Sequence, residues 1–491
     1  METGLLLVQE SGLFMCGLQK LRVLISSIKM FICHVSLIQI KIGGKWRIKQ
    51  WSGSELDSYA ISHVSAVGFV IVGVGPLFTE FLSSLPVKSL LRFKCVSNSW
   101  NTLISDPNFV KFHLKKSKSH NPQFTLITQH IKHIEGESPY GSDDESVVDF
   151  SIIPYSIHSF LDNPSFTLFA DHHYLLNEKD CSFVAGSCNG LICLSGFRFS
   201  PTYTIHHQTY EYWLRLWNPA TRSISEKIGC FIDDRDFGFN FGFDNSTGTF
   251  KAVASLYFPD KLTCDVRVFS FDENVWRNIQ SFPVVPFNLS RSGQLEHDAV
   301  FFNGTLNWLA VRSDIPYTWY RHHPETLTVK QFVIVSLNLG TEIYNMYTLP
   351  QGFDEVPPAE PTVGVLGDCF CFSYSYKETD FIIWQMKKFG IQESWTQFLK
   401  ISYHDLQLNH DFSDATLKYH LYFLPLFLSK DGDTLALYSS QELKVILYNW
   451  RDHRVERSEV EVHKTIIDGE TYDHSCWHVA NGFVESLTSI C

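Results

Sequence analysis

The order of apolar and polar positions divides the chain into two regimes. In LPVKSLLRFKCVSNSW (85–100), Val87, Leu90 and Leu91 recur at helical spacing, and Trp100, Leu103 and Ile104 repeat the pattern. Lys88, Arg92 and Lys94 are interleaved with them. Pro86 stands where a helix tolerates proline, in the first turn. Ser105-Asp106-Pro107 is turn chemistry, and Phe109, Phe112 and Leu114 predict one more short apolar helix. A helical piece of roughly 45 residues with this much apolar surface cannot hide it all in its own core. The surplus Leu, Phe and Trp therefore reads as a docking surface for another protein.

Beyond Lys115-Lys116-Ser117-Lys118 the period falls to two. FTLIT (124–128) is β-prone, and the Gly-, Ser- and acid-rich stretch 135–145 is a solvated loop. From 182 onward a short strand, a polar turn and a return strand recur: YWLRLWNPATRSISEKI, DVRVFSFDENVWRNI, FVIVSLNLGTEIYNMYTL, FIIWQMKKFGIQESWTQFL and LKVILYNWRDHRVERSEV. This is hairpin logic. CNGLICLS, FNGTLNWLA, LGDCFCFSY and DGDTLALYS precede several of these units, each a Gly/Asp/Asn turn feeding a buried strand. A spacing of roughly 50 to 65 residues is close to the period of kelch-type blades. The expected architecture is a small helical unit followed by a large all-β domain, an α+β chain whose second part is a kelch-like β-propeller. A β-sandwich is the alternative.

Residues 1–72 predict little. The stretch 12–40 is apolar but broken by Lys20, Arg22 and Lys29, with Glu2 and Glu10 where a secretory signal is basic. The stretch 58–79 lacks Asp, Glu, Lys and Arg, but its serines, His63 and glycines weaken it as a membrane span. The expectation is a loosely ordered extension or a mispredicted start, not a membrane anchor. The resulting division is 1–72 extension, 73–117 helical unit, 118–180 linker and first strands, and 181–487 β domain.

Composition adds constraints. Apolar residues at 44% and charged residues at 19% describe a globular chain. Aromatics at 15% favour strands. The formal charge of −12 argues against a general nucleic-acid binder. The 12 cysteines form no Cys-x-x-Cys pair, the nearest sets being Cys188 with Cys193 and Cys369 with Cys371. No cysteine-based metal site is expected. Scattered thiols fit a reducing compartment, hence cytoplasm and/or nucleus.

The candidate chemistry is thin. Gly186-Ser187-Cys188-Asn189-Gly190 has the shape of a nucleophile elbow, but an elbow needs a helix after it and LICLSGF predicts a strand. A hairpin turn through Asn189-Gly190 is the expectation. His474, Cys476 and His478 share one strand face without a fourth ligand. No phosphate loop is present, and no metal or cofactor is expected. Trp217, Trp276, Trp308, Trp384 and Trp395 belong in blade cores. Partner choice falls to loops on one rim, with 197–211, 312–328 and 351–361 as candidates. Among them Tyr317, Trp319, Tyr320 and Arg321 are the residue types that dominate binding hot spots.

LPVKSLLRFKCVSNSW followed by LISDPNFVKFHL resembles the F-box of plant F-box proteins, a three-helix module that grips the Skp adaptor of a cullin-RING ubiquitin ligase. Gly73-Val74-Gly75-Pro76 stands where members open with Leu-Pro and two acidic residues. GSCNGLICL, LWNPATRS, FGFDNSTGTFKAV, FNGTLNWLA and NGFVESL are similar to the F-box-associated domain of plant F-box/kelch proteins. The resemblance implies a substrate receptor of an SCF-type ligase that contacts Skp, and cullin through it, and recruits a protein target. It implies no nucleic acid, no membrane and no bond chemistry in this chain. Leu82, Leu85, Pro86, Leu90, Leu91, Val96, Trp100 and Leu103 would hold the F-box together or meet the adaptor. The rival readings are a propeller interaction module whose F-box does not dock, and a hydrolase using Cys188.

Overall fold

The computed structural model describes residues 38–42, 45–49, 75–96, 98–120, 124–134, 147–156, 174–199, 209–235, 237–258, 263–286, 299–312, 327–357, 361–408, 423–429, 431–439, 442, 444–457, 465–467, 470–472, 474–476 and 483–490. The chain divides into two compact units, Met1–Phe112 and His113–Cys491.

The first unit holds an antiparallel hairpin, Ile38–Ile42 with Lys45–Lys49, and a run of helices: α1 Gly75–Leu82, α2 Val87–Lys94, α3 Asn98–Ser105 and the start of α4 Pro107–His120. Local chemistry sets each boundary. Ser83 and Ser84 turn their hydroxyls back onto the Glu80 and Phe81 carbonyls and so end α1. Pro86 is the residue before α2, with ψ at 146°, and its carbonyl accepts the Ser89 and Leu90 N–H groups. It stands one place ahead of the helical turn that the sequence suggested, where its missing N–H is equally harmless. Asp106 caps α4, its carboxylate accepting the Asn108 and Phe109 N–H groups at 2.8 and 3.2 Å. Pro107 occupies the first helical position. The helix foreseen around Phe109 runs to 14 residues.

The second unit is a succession of antiparallel sheets, most of them meanders whose strands pair in chain order. The first blade is Phe183–Cys188, Leu191–Phe199, Tyr210–Asn218 and Ile228–Asp233, with Ser223–Ile224 also on Tyr210–Asn218. The second is Gly238–Asp244, Thr249–Phe258, Thr263–Ser270 and Val275–Asn278. In the third, Val285–Pro286 and Val300–Phe302 both pair with Thr305–Val311, followed by Phe332–Asn338 and Ile343–Thr348. The fourth is Thr362–Leu366, Cys369–Tyr376, Asp380–Met386 and Trp395–Ser402. The fifth is Phe423–Leu428, Thr434–Ser439, Lys444–Asn449 and Arg454–Arg457.

A sixth sheet joins the two ends of the unit. Phe124–Ile134 pairs with Val147–Ser156, which pairs with Tyr174–Leu175, while the C-terminal strands His474–Cys476 and Phe483–Val484 lie on the other side of Phe124–Ile134. The segment 118–180 thus supplies the body of a closing blade whose first strand comes from the C-terminus. This is propeller closure, and it removes the sandwich alternative.

Successive sheets pack face to face through their own clusters. Ala185, Leu191 and Leu214 meet Phe241, Ala252 and Phe269 between the first two blades. Val253, Val266 and Phe282 meet Leu306, Trp308 and Val335 between the second and third. Leu309 and Ile334 meet Phe370, Phe372 and Trp395, and Leu366 and Phe381 meet Phe423, Leu435 and Ile446. Phe483 closes on Leu176, Ile192 and Trp217. Trp217, Trp308 and Trp395 are buried, and Trp276 and Trp384 are half-buried against the same clusters. Trp308 lies edge-on to Phe282 at 5.5 Å. Truncating a buried aromatic leaves a cavity that costs about 3–5 kcal/mol, so Trp308→Ala is expected to lower the unfolding free energy from denaturant titrations by that order.

Candidate docking surfaces and the turn-and-tail clasp

The helices sort the residues that spacing alone could not. Leu82, Leu85 and Leu90 are buried, together with Val87, Phe93, Ile104 and Phe109. These form the core of the helical unit. Leu91, Trp100 and Leu103 are only half-buried, Pro86 is exposed, and Val96 is 43% exposed. Trp100, half-buried, packs edge-to-face with Phe93 at 5.0 Å. Phe112 adds another exposed apolar side chain. Around them Lys88, Arg92 and Lys111 are exposed, a basic setting within a chain of formal charge −12. Burial lowers the pKa of the nearby Lys94. Phe93 was the core residue that sequence reasoning passed over, and its place three residues after Leu90 was the available signal. Gly73 and Val74 lie outside the described residues.

The meander order assigns every connection of the propeller to a face. Turns joining first to second and third to fourth strands lie on one face, and most are short, among them 189–190, 219–222, 271–274, 303–304, 339–342 and 367–368. Many use a residue in the left-handed region, among them Asn189, Arg222, Asn274, Asn303, Glu342 and Asp368. Connections joining second to third strands, and one blade to the next, lie on the opposite face. The described ends of the three candidate loops 197–211, 312–328 and 351–361 lie there. The third is the best described: Phe353 is buried against Phe332, Phe372 and Tyr374, and the Tyr374 hydroxyl donates to the Gly352 carbonyl at 3.0 Å. Asp354 is left exposed on this anchored turn. Tyr317, Trp319, Tyr320 and Arg321 lie outside the described residues.

Cys188 ends the strand Phe183–Cys188, and the chain returns through Asn189 (φ 50°) and Gly190 (φ 78°) into Leu191–Phe199. Strands flank it on both sides, so the geometry is a hairpin and not a nucleophile elbow. The thiol is buried, and burial pushes its pKa well above the ordinary range, away from a reactive thiolate. His474 and Cys476 lie on the strand that pairs with Gln129–Ile131. His478 lies outside the described residues. Among the described residues no group of three or more His, Cys, Asp or Glu could hold a metal ion.

Comparison with known proteins agrees with this geometry. Residues 77–112, the helical unit, match the F-box domain model. An F-box/kelch-repeat protein of Arabidopsis thaliana is 30% identical over 342 residues, covering 66% of this chain and 78% of the relative. The chain belongs to the plant F-box/kelch-repeat family. The Arabidopsis F-box protein CPR1 is 24% identical over 385 residues, 74% of this chain and 78% of that protein. Among solved structures, the β-propeller domain of the trilobed protease from Pyrococcus furiosus covers 60% of this chain at 12% identity and TM-score 0.31, too low to bear on the argument.

In this F-box/kelch-repeat protein, three of the motifs quoted for the β domain, GSCNGLICL, LWNPATRS and NGFVESL, converge on one clasp. Asn218, in LWNPATRS, is fully buried. Its amide donates to the carbonyls of Ser486 and Thr488 at 3.1 and 2.8 Å, and its oxygen accepts the Ala220 and Thr221 N–H groups. From the NGFVESL tail, the Ser486 hydroxyl reaches the Gly190 carbonyl at 3.4 Å and the Thr488 hydroxyl reaches the Asn189 carbonyl at 3.1 Å. A Cβ on Gly190 would fall 2.0 Å from Ser486 Oγ, so glycine is required by both space and φ. The motif GSCNGLICL therefore serves ring closure.

FGFDNSTGTFKAV has its own local role. The Asp244 carboxylate accepts Ser246 N–H at 2.8 Å and the Ser246 and Thr247 hydroxyls at 2.6 Å. Lys251 lies 3.9 Å away and pairs with Glu342 of the next blade at 2.8 Å. Burial works against the Asp244 charge, but the hydrogen bonds outweigh it and hold the pKa at about 2, below the usual 3.8. A depressed carboxyl stabilises the fold fully above its unfolded pKa and loses that contribution as pH falls through the folded one. Thermal melts are thus expected to weaken between pH 3.8 and 2, and Asp244→Asn is expected to flatten part of that slope.

Proposed function

We propose that this chain is a substrate-recognition subunit of an SCF-type ubiquitin ligase. Its F-box docks a Skp adaptor, and through it cullin, while the propeller recruits a target protein for ubiquitination. The observation that carries the reading is the division of labour inside residues 77–112. One set of apolar side chains builds the core, and a second set, Leu91, Val96, Trp100 and Leu103, is left on the surface of an F-box. The mechanism is proximity: a tethered target meets the charged conjugating enzyme at high effective concentration. On this reading the chain contributes binding and no bond chemistry. Target choice falls to the face carrying 197–211, 312–328 and 351–361, since loops on a rigid scaffold vary without disturbing it. Eight described cysteines are free thiols, which suits the cytoplasm and/or nucleus.

The test is reconstitution. Full-length chain mixed with purified plant Skp adaptor and cullin should co-elute as one complex in gel filtration. A Gly73→Leu/Val74→Pro variant, restoring the family's opening residues, should bind at least as well. Co-elution of that variant alone would support the second reading, a propeller module whose own F-box does not dock.

A further inference from the structure

The outermost strand of a propeller blade is an open sheet edge, and folded proteins blunt such edges with charge, bulges or brevity. Most of the blades here do so. Ile228–Asp233 is interrupted by a register shift and ends in Asp233. Val275–Asn278 is short and carries Arg277. Trp395–Ser402 has a register shift and Lys400, Arg454–Arg457 reads RVER, and Tyr174–Leu175 is two residues long. The third blade differs. Ile343–Thr348, IYNMYT, is six residues without charge or proline, and its register with Phe332–Asn338 is unbroken.

The direction of its backbone groups follows from its far end. Thr348 N–H donates to Gln392 Oε1 at 3.1 Å, and the Thr348 carbonyl accepts Trp395 Nε1 at 3.2 Å, both from the fourth blade. These groups therefore point away from Phe332–Asn338. By the two-residue alternation of an antiparallel strand, the N–H and C=O of Tyr344 and Met346 point the same way. Ile343, at the start of the strand, is 62% exposed.

We infer that this edge pairs with its own copy, forming a two-fold dimer centred on Asn345. The strand is self-complementary about that residue. A two-fold through Asn345 sets Tyr344 opposite the partner's Met346 and the reverse, so the outward groups of these residues form reciprocal backbone hydrogen bonds. It also sets exposed Ile343 opposite the half-buried Tyr347, whose ring packs on Phe389 at 6.0 Å in its own chain, a β-branched–aromatic pair across the new seam. The other face receives a Tyr–Met pair, a favourable sulfur–aromatic contact. The centre is the neutral, exposed Asn345 facing itself. A charged extended segment finds no opposite charge on this strand, whereas an identical strand finds the outward groups of Tyr344 and Met346, those of Thr348 being held by Gln392 and Trp395. One shared edge is small for an interface, so the dimer is reversible and concentration-dependent. Two copies of formal charge −12 also repel, so salt strengthens it.

Sedimentation of the full chain over a range of protein concentration and salt is the test. Wild type is expected to shift toward dimer, more so at high salt. Asn345→Lys, which sets like charges opposite each other on the axis, is expected to remain monomeric with an unchanged thermal melt. Register is tested by oxidation. At the two-fold centre the Cα atoms are about 4.5 Å apart, within disulfide range, so Asn345→Cys cross-links above the wild-type background. Ile343→Cys lies roughly 13 Å from its own copy and does not. A wild type that stays monomeric throughout, an Asn345→Lys variant that dimerises like wild type, or equal cross-linking of the two cysteine variants would overturn the inference.

Discussion

Val96→Asp and Leu103→Asp, made in the full chain, are expected to abolish retention on a purified Skp adaptor while leaving the thermal melt of the protein intact. Both side chains reach the surface of the F-box, Val96 at 43% exposure and Leu103 half-buried. A charge at either place is solvated in the free protein and desolvated in the complex. Buried unpaired charge costs several kcal/mol, so a loss of roughly a hundredfold or more in affinity is expected. Leu90→Asp is the instructive contrast. Leu90 is fully buried beside Val87 and Phe93, and a carboxylate there unfolds the helical unit before any adaptor is met. Loss of binding in that variant reports folding, whereas loss in Val96→Asp reports the interface. Titrating binding and melting temperature on the same samples separates them. Equal binding by Val96→Asp, Leu103→Asp and wild type would remove this surface from the docking site.

The second large effect is expected at the clasp. Gly190→Ala combines a positive φ of 78° with a Cβ placed 2.0 Å from Ser486 Oγ and 3.0 Å from the Val484 carbonyl. Gly248 provides the internal control, because its φ is 77° and nothing lies within 4 Å of its would-be Cβ. Gly248→Ala therefore registers backbone strain alone, about 1–2 kcal/mol. Gly190→Ala adds displacement of the C-terminal tail and is expected to cost more, roughly 3–5 kcal/mol. Asn218→Ala attacks the same clasp from the other side. It leaves the Ser486 and Thr488 carbonyls and the Ala220 and Thr221 N–H groups without their amide partner, at about 1–3 kcal/mol for each group that stays buried. Denaturant midpoints of the three variants give the order directly. If Gly190→Ala is no worse than Gly248→Ala, the tail does not lock the ring.

The legibility of this chain follows the range of its interactions. The third-to-fourth-strand hairpins could be read from YWLRLWNPATRS or FVIVSLNLGTEIYN because the turn carries its own chemistry, with Arg222 or Glu342 in the left-handed region. Second strands such as Thr305–Val311 are buried at every position, so they show no alternation and were found only through the Asn303-Gly304 turn before them. The closing blade was invisible for a different reason. Nothing near Gln129–Ile131 announces a partner at His474–Cys476, because that pairing joins the two ends of the unit. Asn218 is similar, since its buried amide is explained only by Ser486 and Thr488.

The proposed docking surface was half legible. Helical spacing brought Leu90 and Leu91 forward together, yet adjacent positions diverge by nearly a third of a turn. Packing then buries Leu90 and leaves Leu91 at the surface. Spacing named a helical segment, and only the surrounding helices sort its side chains into buried and surface.

The most direct measurement is a calorimetric titration of the full-length chain with purified plant Skp adaptor. The account predicts saturable one-to-one binding that disappears with Val96→Asp. A correctly folded chain that releases no binding heat and does not co-elute with the adaptor would contradict it.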